Sequence, residues 1–461
     1  MKQNTKISLI KYMCGFLLAM GVIIATNLHA QAGEMKLHAI FVGQGDALVV
    51  ESNGHYMMVD SGWYNTYNEV IAYLDKLKIP NKHFDYMVST HPDADHVGGF
   101  KHIWKAGYTV DKLVYSECAK PTIKTYRDFI AAIPTTGAKA WNPVDDESWK
   151  LGDATVKVVY DGRQGTTYNE DSIVLKVSCD GKSMLLTADM PSTIEKVLIK
   201  KKYDLKANIL KVGHHGATLS TCDDFLDVVK PSHAVISTGK PPEYLTPKPA
   251  MLKRLAVRDI KTYRTTDGNV LVSVKNGVIS CKNKENNGYK NLTHATITTS
   301  KKQYYASSVV GTKLMPKFKV KLNGKKISSK YYSVTYLNTY STGIGQIAIK
   351  GLDPYVGKVY ADVKILPRKG VIYAAYAPKS KNKIKLLWSR QSHSSGYKIM
   401  YSKNKNFKKA KIITIKSAKK NYCTIKKLKY GKKYYVREKA VTNGVGEGKW
   451  SKTIKVSIPN R

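Results

Sequence analysis

The chain has 461 residues, of which 43% are hydrophobic, six cysteines, and a formal net charge of +42 at pH 7. This length supports two or three domains, and the few, widely spaced cysteines exclude a disulfide framework and a thiolate metal site. After the N-terminus, no apolar run is long enough to cross a bilayer, which excludes a protein with many membrane spans.

The first 32 residues have the pattern of a signal peptide. Three lysines stand within the first 11 residues, an apolar run covers residues 14–25, and Ala30-Gln31-Ala32 supplies the small residues of a cleavage site. An uncleaved anchor is the alternative interpretation. We therefore expect a mature chain that is exported, and either secreted or wall-associated, in a Gram-positive-type bacterium.

Residues 33–283 alternate predicted strands and helices. Strands are expected in three runs between residues 36 and 60, and then over 85–88, 112–115, 155–160, 173–178, 183–187, 207–212 and 233–237. Helices are expected over 67–78, 100–106, 121–133, 194–200, 223–229 and 249–258. The helix over 121–133 would have Pro121 in its first turn. Two such α/β halves predict two sheets sandwiched between helices.

The most informative stretch follows the predicted strand over 85–88. It places four potential metal ligands within six residues: His91, Asp93, Asp95 and His96. Two imidazoles and two carboxylates this close are accounted for by a divalent cation, and the glycines at 98 and 99 would let the backbone turn and approach it. A solvated polar loop is the alternative.

This stretch resembles the HxHxDH signature of the metallo-β-lactamase superfamily, in the HPDADH form of its ComEC-like branch. The resemblance continues in order through five more segments: Phe41–Ala47 (VGQGDA-like), Asp60–Gly62 (DSG), Asn169–Ser172, Leu185–Asp189 (similar to LLTGD) and Lys211–Ala217 (similar to KVPHHGS). It implies an αββα metallo-β-lactamase sandwich over residues 33–283. A ComEC-type permease is excluded, because the spans are missing.

The resemblance also implies a site with two divalent metal ions, zinc or else manganese. His91 and Asp93 would hold the first ion, and Asp95 and His96 the second. Asp189 would bridge both ions, and either His215 or its neighbour His214 would complete the second site. Asp95 would be catalytic, orienting a hydroxide shared by the two metals.

The sequence departs from the superfamily pattern at several positions. The third-motif histidine is missing, and Asn169, Asp171 or Ser172 could stand in for it. Thr246 takes the place of a histidine of the ComEC branch, so β-lactam hydrolysis is not expected. Asp46 and Asp60 could lie close to the site, although we favour a structural role for them as turn residues that bind backbone.

The C-terminal part is interpreted as a linker over 284–300 and two all-β sandwich modules. Residues 301–367 resemble Ig-like modules, and residues 368–461 resemble a fibronectin type III module, with Trp388 in its core. Residues 291–461 contain 39 Lys and Arg against 4 Asp and Glu, a balance of +35. Such a surface should attract a polyanion, nucleic acid or teichoic acid, unless it is only a solvated lysine-rich face.

Three functions remain open at this level. The first is a secreted metal-dependent phosphodiesterase, most simply a nuclease. The second is a teichoic-acid phosphoesterase similar to phosphorylcholine esterases, which share the pattern Glu51–His55. The third is a surface-binding protein without activity, whose metal site is degenerate.

Overall fold

The computed structural model describes residues 33–117, 122–163, 165–240, 245–307, 309 and 311–460. The predicted signal peptide over residues 1–32 lies outside these ranges. The chain divides into two compact units, with the boundary between Gly288 and Tyr289. Within the described ranges, no helix is long and apolar enough to cross a membrane.

Two β-sheets form the frame of the first unit. Their strands are β1 (Glu34–Ala39), β2 (Ala47–Ser52), β3 (His55–Ser61), β4 (His83–Ser89), β5 (Thr109–Tyr115), β6 (Lys139–Trp141), β7 (Ser148–Leu151), β8 (Ala154–Tyr160), β9 (Val174–Cys179), β10 (Lys182–Leu186), β11 (Ile209–Lys211), β12 (His233–Ile236), β13 (Lys261–Arg264), β14 (Val270–Lys275) and β15 (Val278–Cys281). The 8-stranded sheet has the order β15-β14-β1-β2-β3-β4-β5-β6, and the 7-stranded sheet the order β13-β12-β11-β10-β9-β8-β7. Each half of the sequence therefore builds one sheet, and β14 and β15 return to the first.

The main core lies between the two sheets. Successive side chains of a strand point to opposite faces, so alternate residues of each strand enter this layer. Leu37 and Val88 of the first sheet share one buried cluster with Leu175 and Ile209 of the second. The ends of the strands are thereby held at fixed positions, and the loops that follow them carry the candidate site.

Helices cover the outer faces of the sheets. They are α1 (Tyr67–Leu77), α2 (Ala94–Val97), α3 (Phe100–Lys105), α4 (Lys124–Ala132), α5 (Ser192–Lys200), α6 (Asp223–Val229) and α7 (Pro249–Val257). Phe100 of α3 and Phe129 of α4 pack with Val49 and Met87 of the first sheet in a second buried cluster. The αββα sandwich predicted from the sequence is confirmed. The helix predicted over 121–133 is observed as α4 from Lys124 to Ala132, and residue 121 lies outside the described ranges.

The second unit is all β. Its strands are β16 (Lys290–Asn291), β17 (Thr296–Thr299), β18 (Tyr304–Tyr305), β19 (Phe318–Leu322), β20 (Lys325–Lys326), β21 (Tyr332–Leu337), β22 (Gly343–Gly351), β23 (Tyr355–Val356), β24 (Lys358–Leu366), β25 (Ile372–Tyr376), β26 (Ile384–Trp388), β27 (Gly396–Ser402), β28 (Lys411–Ile415), β29 (Tyr422–Ile425), β30 (Lys433–Thr442), β31 (Gly446–Glu447) and β32 (Ile454–Ser457). Val320, Ile347 and Val363 mark the core of its first module. Trp388 and Tyr397 lie in the core of its second.

The segment predicted as a linker, residues 284–300, contains the boundary between the two units and also short strands. Asn286 donates its backbone N–H to the carbonyl of Thr262, at 2.8 Å, so the start of this segment packs on the first unit. β17 lies within the segment and pairs antiparallel with β19. The polar composition of the segment had hidden a strand, because only every second side chain of β17 is partly buried.

Candidate metal centre

The loops that follow three strands carry the candidate ligands. His91 and Asp93 come after β4, and α2, which begins next, carries Asp95 and His96. Asp189 follows β10 and His215 follows β11. β10 and β11 are parallel neighbours, so their following loops leave the sheet side by side. Four ligand atoms, one each from Asp95, His96, Asp189 and His215, all lie within 4.8 Å of one another.

The short distances in this cluster join imidazole nitrogens to carboxylate oxygens. Nε2 of His215 lies 3.3 Å from Oδ2 of Asp95 and 3.4 Å from Oδ2 of Asp189. Nε2 of His96 lies 3.3 Å from Oδ1 of Asp189. His96, Asp189 and His215 are almost completely buried, whereas the Asp95 side chain retains 14% of its exposure. The cluster is therefore closed to solvent at His96, Asp189 and His215 and more open at Asp95.

Several atoms of the cluster have no hydrogen bond. Nε2 of His91, His96 and His215 and Oδ1 of Asp189 are buried, and none of them forms a hydrogen bond of acceptable geometry with a described residue. Buried polar atoms are nearly always bonded, so four such atoms at one place need an explanation. Imidazole nitrogens and carboxylate oxygens are the usual ligands of zinc and of related divalent ions. These residues therefore fit a divalent cation.

The rings are held from behind in the orientation that ligation requires. Nδ1 of His96 lies 2.7 Å from Oδ2 of Asp60, and Nδ1 of His215 lies 3.0 Å from the carbonyl oxygen of Ser237. Each contact takes the Nδ1 proton and leaves the lone pair of Nε2 facing the cluster, which is the arrangement common around metal-binding histidines. Of these two partners only Asp60 was singled out from the sequence, since Ser237 contributes a backbone oxygen.

The second residue pair in this area, His91 and Asp93, lies next to the cluster. His91 is fully buried, and its Nε2 lies 3.5 Å from Oδ2 of Asp93. The ring centroids of His91 and His96 are 4.1 Å apart. The structure thus brings both pairs of the HPDADH stretch to one place.

The segment that leads into β9 lies against the HPDADH loop. The backbone N–H of Ile173 donates to the carbonyl of Thr90, the residue before His91, at 2.9 Å. Oδ1 of Asn169 and Oγ of Ser172 are buried and have no hydrogen bond among the described residues. Burial raises the pKa of Asp171 to about 6, against the opposing charge of His91. The segment in which the third-motif histidine is missing therefore contacts the loop that carries His91 and contains buried oxygen atoms without a hydrogen bond among the described residues.

The two adjacent histidines after β11 differ in position. His215 is buried within the cluster, whereas the side chain of His214 is 34% exposed and its Nε2 lies 3.7 Å from Oδ2 of Asp189. Both have left-handed backbone conformations, with φ of 47° and 53°, and Ala188 has φ of 44°. Such conformations strain residues with a side chain, and they persist where surrounding contacts hold them. The geometry places His215 at the centre and His214 at the rim.

Asp46 connects four of the sequence motifs, a role the sequence did not reveal. Its carboxylate forms a fully buried ion pair with Nζ of Lys211, at 2.8 Å, and lies 3.7 Å from Nδ1 of His215. Its backbone N–H donates to the carbonyl of Asp95, at 3.2 Å, and its carbonyl accepts from Gly62, at 2.7 Å. The expected structural role of Asp46 thus extends to positioning the site. Lys211 was overlooked as a partner, because only the fold brings it to Asp46.

The paired glycines after His96 act differently from the expectation. Both have right-handed helical conformations, so they form no special turn. A Cβ on Gly99 would come within 2.2 Å of the carbonyl oxygen of Ser61, and one on Gly98 within 2.3 Å of the backbone nitrogen of Tyr64. Their missing side chains let α2 approach the loop after β3, rather than the ligand itself.

The charges of the cluster shift its pKa values strongly. Burial by itself would lower the pKa of His215, but Asp189 and Asp95 outweigh it and raise the pKa to about 9. Burial likewise opposes the rise of the His96 pKa, which Asp189 and Asp60 bring well above its ordinary value. Burial would raise the pKa of Asp189, yet His215 and His96 hold it well below its ordinary value. The carboxylates therefore stay ionised and attract positive charge, either protons or a cation.

Comparison with known proteins agrees with this geometry. The model of the metallo-beta-lactamase superfamily matches residues 40–240, which include every candidate ligand. Residues 40–240 form a metallo-beta-lactamase superfamily domain. This family binds divalent metal, and the His/Asp cluster is its candidate site in this chain. A fibronectin type III model matches residues 375–457, inside the module expected from the sequence.

The curated relatives of this metallo-beta-lactamase domain are larger proteins. ComE operon protein 3 of Bacillus subtilis (strain 168) is 26% identical over 266 residues, which are 54% of this chain and 34% of that protein. Competence protein ComA of Neisseria gonorrhoeae is 26% identical over 228 residues, or 48% and 30% of the two chains. The chain thus spans about a third of the length of these relatives. Among solved structures, a metallo-beta-lactamase of Cronobacter sakazakii with a HARLDQ motif is 12% identical to this chain. The match covers 33% of this chain and 61% of the other, with a TM-score of 0.26.

Proposed function

We propose that the first unit is a metal-dependent phosphodiesterase that cleaves DNA with two divalent cations, zinc or manganese. The observation that carries the proposal is the cluster of Asp95, His96, Asp189 and His215, whose ligand atoms lie within 4.8 Å of one another. In the same area His91 adds a buried Nε2 without a hydrogen bond among the described residues. More ligands are present than one tetrahedral ion uses, which supports two ions.

The proposed ligands divide between two positions. His91 and Asp93 would hold one cation, with oxygen atoms of Asn169 or Ser172 in place of the missing histidine. Asp95, His96 and His215 would hold the other, and Asp189 would bridge both. Oδ1 of Asp189 lies 3.3 Å from Nε2 of His96 and Oδ2 lies 3.4 Å from Nε2 of His215, which supports Asp189 as a ligand of the second position.

When bound, two such cations polarise a phosphodiester and lower the pKa of water to near neutrality. Side chains and one backbone carbonyl of the protein would orient the water, contact the substrate and hold the ligands in place. Asp95, which keeps some exposure at the open side, would orient the attacking water and accept its proton. His214 at the rim would contact a phosphate oxygen of the substrate. Asp60 and the Ser237 carbonyl would keep His96 and His215 from rotating.

DNA is the proposed substrate for two reasons. One relative is named Competence protein ComA. Another, from Haemophilus influenzae, is named Recombination protein 2 and is 26% identical over 258 residues. The second unit carries the excess of lysine described above, and such a surface binds polyanions with a strong dependence on salt. We further propose that the enzyme acts outside the cell, as the N-terminal sequence predicts.

The teichoic-acid alternative has less support. The pattern Glu51–His55 forms the β2–β3 hairpin, where Glu51 binds Lys36 at 2.7 Å and His55 binds Asp85 at 2.7 Å. These contacts give the pattern a structural role in the hairpin. The basic second unit could bind wall polymer as well as nucleic acid, so it does not separate the two functions.

The decisive experiment is cleavage of labelled single- and double-stranded DNA by residues 33–461, with manganese or zinc supplied in turn. Asp95→Ala should abolish cleavage, whereas Asp75→Ala, which changes a carboxylate on the surface of α1, should leave it intact. Metal content per chain is measured on the same samples. A metal-loaded protein that does not cleave DNA would contradict the proposal. A protein that retains no metal would point to the inactive surface-binding protein.

A further inference from the structure

A cleft separate from the candidate metal centre lies at the edge of the sandwich, where the two sheets end in β6 and β7. Its volume is about 430 Å³, and it is lined by Tyr86, Lys112, Lys139, Trp141, Glu147 and Trp149. Both edge strands are short, with 3 and 4 residues, so aromatic side chains take the place of further strands here. A cleft of this size falls in the usual range of small-molecule sites. None of its lining residues belongs to the proposed metal centre.

The rings of the cleft form two walls at nearly a right angle. Tyr86 stacks on Trp149, with centroids 5.2 Å apart and planes 22° apart. Trp141 meets Trp149 edge to face, with an interplanar angle of 77°. A planar ring that stacks on one wall presents its edge to the other, which is the arrangement that aromatic pairs prefer. The corner therefore suits a flat ring better than a branched aliphatic group.

Two lysines stand together beside these rings. Lys112 of β5 and Lys139 of β6 are directly paired in register, and both are exposed. Lys112 donates to the hydroxyl of Tyr86 at 3.1 Å, and in the described part of the chain neither lysine forms an ion pair. Like charges directly opposite each other on neighbouring strands are unfavourable. A bound anion would relieve this repulsion.

The acidic residue of the cleft is already occupied. Glu147 accepts from the indole N–H of Trp141 at 3.0 Å and from the backbone N–H of Val144 at 3.2 Å. The indole N–H of Trp149, by contrast, is buried and has no acceptor among the described residues. The cleft thus offers two ammonium groups next to aromatic faces, and its carboxylate is engaged by other donors.

We propose that this cleft binds a nucleotide unit, with its phosphate between Lys112 and Lys139 and its base in the corner formed by Trp141 and Trp149. Bases stack on indole and phenol rings irrespective of sequence, and adjacent lysines hold the backbone phosphate. The site would hold a nucleotide without cleaving it. It goes beyond the proposed function, and it needs neither the metal cluster nor the basic second unit.

The test uses the full mature chain labelled with ¹⁵N-tryptophan, in EDTA so that no cation at the metal centre binds phosphate. The six indole N–H resonances are assigned with single Trp→Phe variants and followed during titration with dAMP. We expect the resonances of Trp141 and Trp149 to shift together and the others to stay. Ribose 5-phosphate and inorganic phosphate, which lack the base, should shift them much less.

A charge reversal on the surface keeps the test independent of folding. Lys139→Glu should weaken dAMP binding about tenfold, because a charge-assisted contact to phosphate is replaced by repulsion. Lys196→Glu on α5, an exposed lysine elsewhere in the same unit, should leave binding unchanged. No shift with dAMP, equal shifts with ribose 5-phosphate, or equal weakening by both variants would overturn the proposal. The binding of dAMP is measured in EDTA and does not need the metal centre. A negative result in the DNA cleavage experiment would therefore leave this proposal intact.

Discussion

Asp60 and His96 are joined by a buried hydrogen bond of 2.7 Å between Oδ2 and Nδ1. The same carboxylate accepts the backbone N–H and the hydroxyl of Thr90, at 2.8 and 2.7 Å. Asp60 thus fixes both the ring of His96 and the residue that precedes His91. One side chain outside the proposed ligand set therefore orients histidines of both proposed metal positions.

Asp60→Asn should weaken metal binding without removing a ligand. The amide is neutral and offers one acceptor oxygen, so the Nδ1 proton of His96 and the two donors of Thr90 can no longer all be satisfied. Loss of such an outer partner costs about 10- to 100-fold in metal affinity. Competition with a chelating dye measures the affinity, and Asp75→Asn on α1 is the matched control. Equal affinities of Asp60→Asn and the unchanged protein would refute this role.

Metal-free protein should lose stability as the pH rises toward 9. His215 has an unfolded pKa near the usual value of about 6.5 and a folded pKa of about 9. Its protonation therefore stabilises the fold fully below about pH 6.5, and this contribution disappears as the pH rises through 9. A bound cation needs neutral imidazole, so metal-loaded protein should show the opposite trend. Calorimetry with EDTA or manganese between about pH 6 and pH 9 compares them, and parallel curves would contradict the assignment.

Lys211→Met should destabilise the first unit strongly. The change leaves the carboxylate of Asp46 buried without its partner, which costs about 3–5 kcal/mol. The double variant Asp46→Leu with Lys211→Met removes both charges and should recover most of that loss. Urea unfolding of the two single variants and the double variant gives the coupling energy. If the losses of the single variants simply add, the ion pair is not the cause.

Ala188→Gly should stabilise the protein slightly. Ala188 has φ of 44°, a conformation that costs a residue with a side chain about 1–2 kcal/mol, whereas glycine tolerates it. After the entropy cost of glycine, the expected net gain is roughly 0.5–1 kcal/mol. Ala234→Gly, at a buried position of β12, should instead lower the melting temperature. Two variants that destabilise equally would show that the conformation is not strained.

The fold and half of the site could be predicted because the signals are local. The HPDADH stretch places four candidate ligands in one loop, and the alternation of strands and helices gives the sandwich. The choice between His214 and His215 was not predictable, because it depends on backbone conformation and on the carbonyl of Ser237. The pair of Asp46 and Lys211 is 165 residues apart in sequence, and it forms only because the sheet that holds β2 packs on the sheet that holds β11.

In the second unit, one module could be predicted from the sequence and one strand could not. The fibronectin type III module was recognisable from Trp388 and the strand patterns around it. β17 was missed because Thr296–Thr299 is short and polar, and its partner β19 begins only at Phe318. Strand pairing over such a distance leaves no mark in a short stretch of sequence.

The candidate ligands come from both halves of the sandwich. Asp95 and His96 follow β4 of the first sheet, whereas Asp189 and His215 follow β10 and β11 of the second. A cation held by all four would act as a further cross-link between two parts of the chain that apolar packing and the Asp46–Lys211 ion pair already join. If the chain were cut between β6 and β7, the two fragments should reassociate more tightly with metal than without it. Protection of this unit against proteolysis would then report whether the centre is loaded.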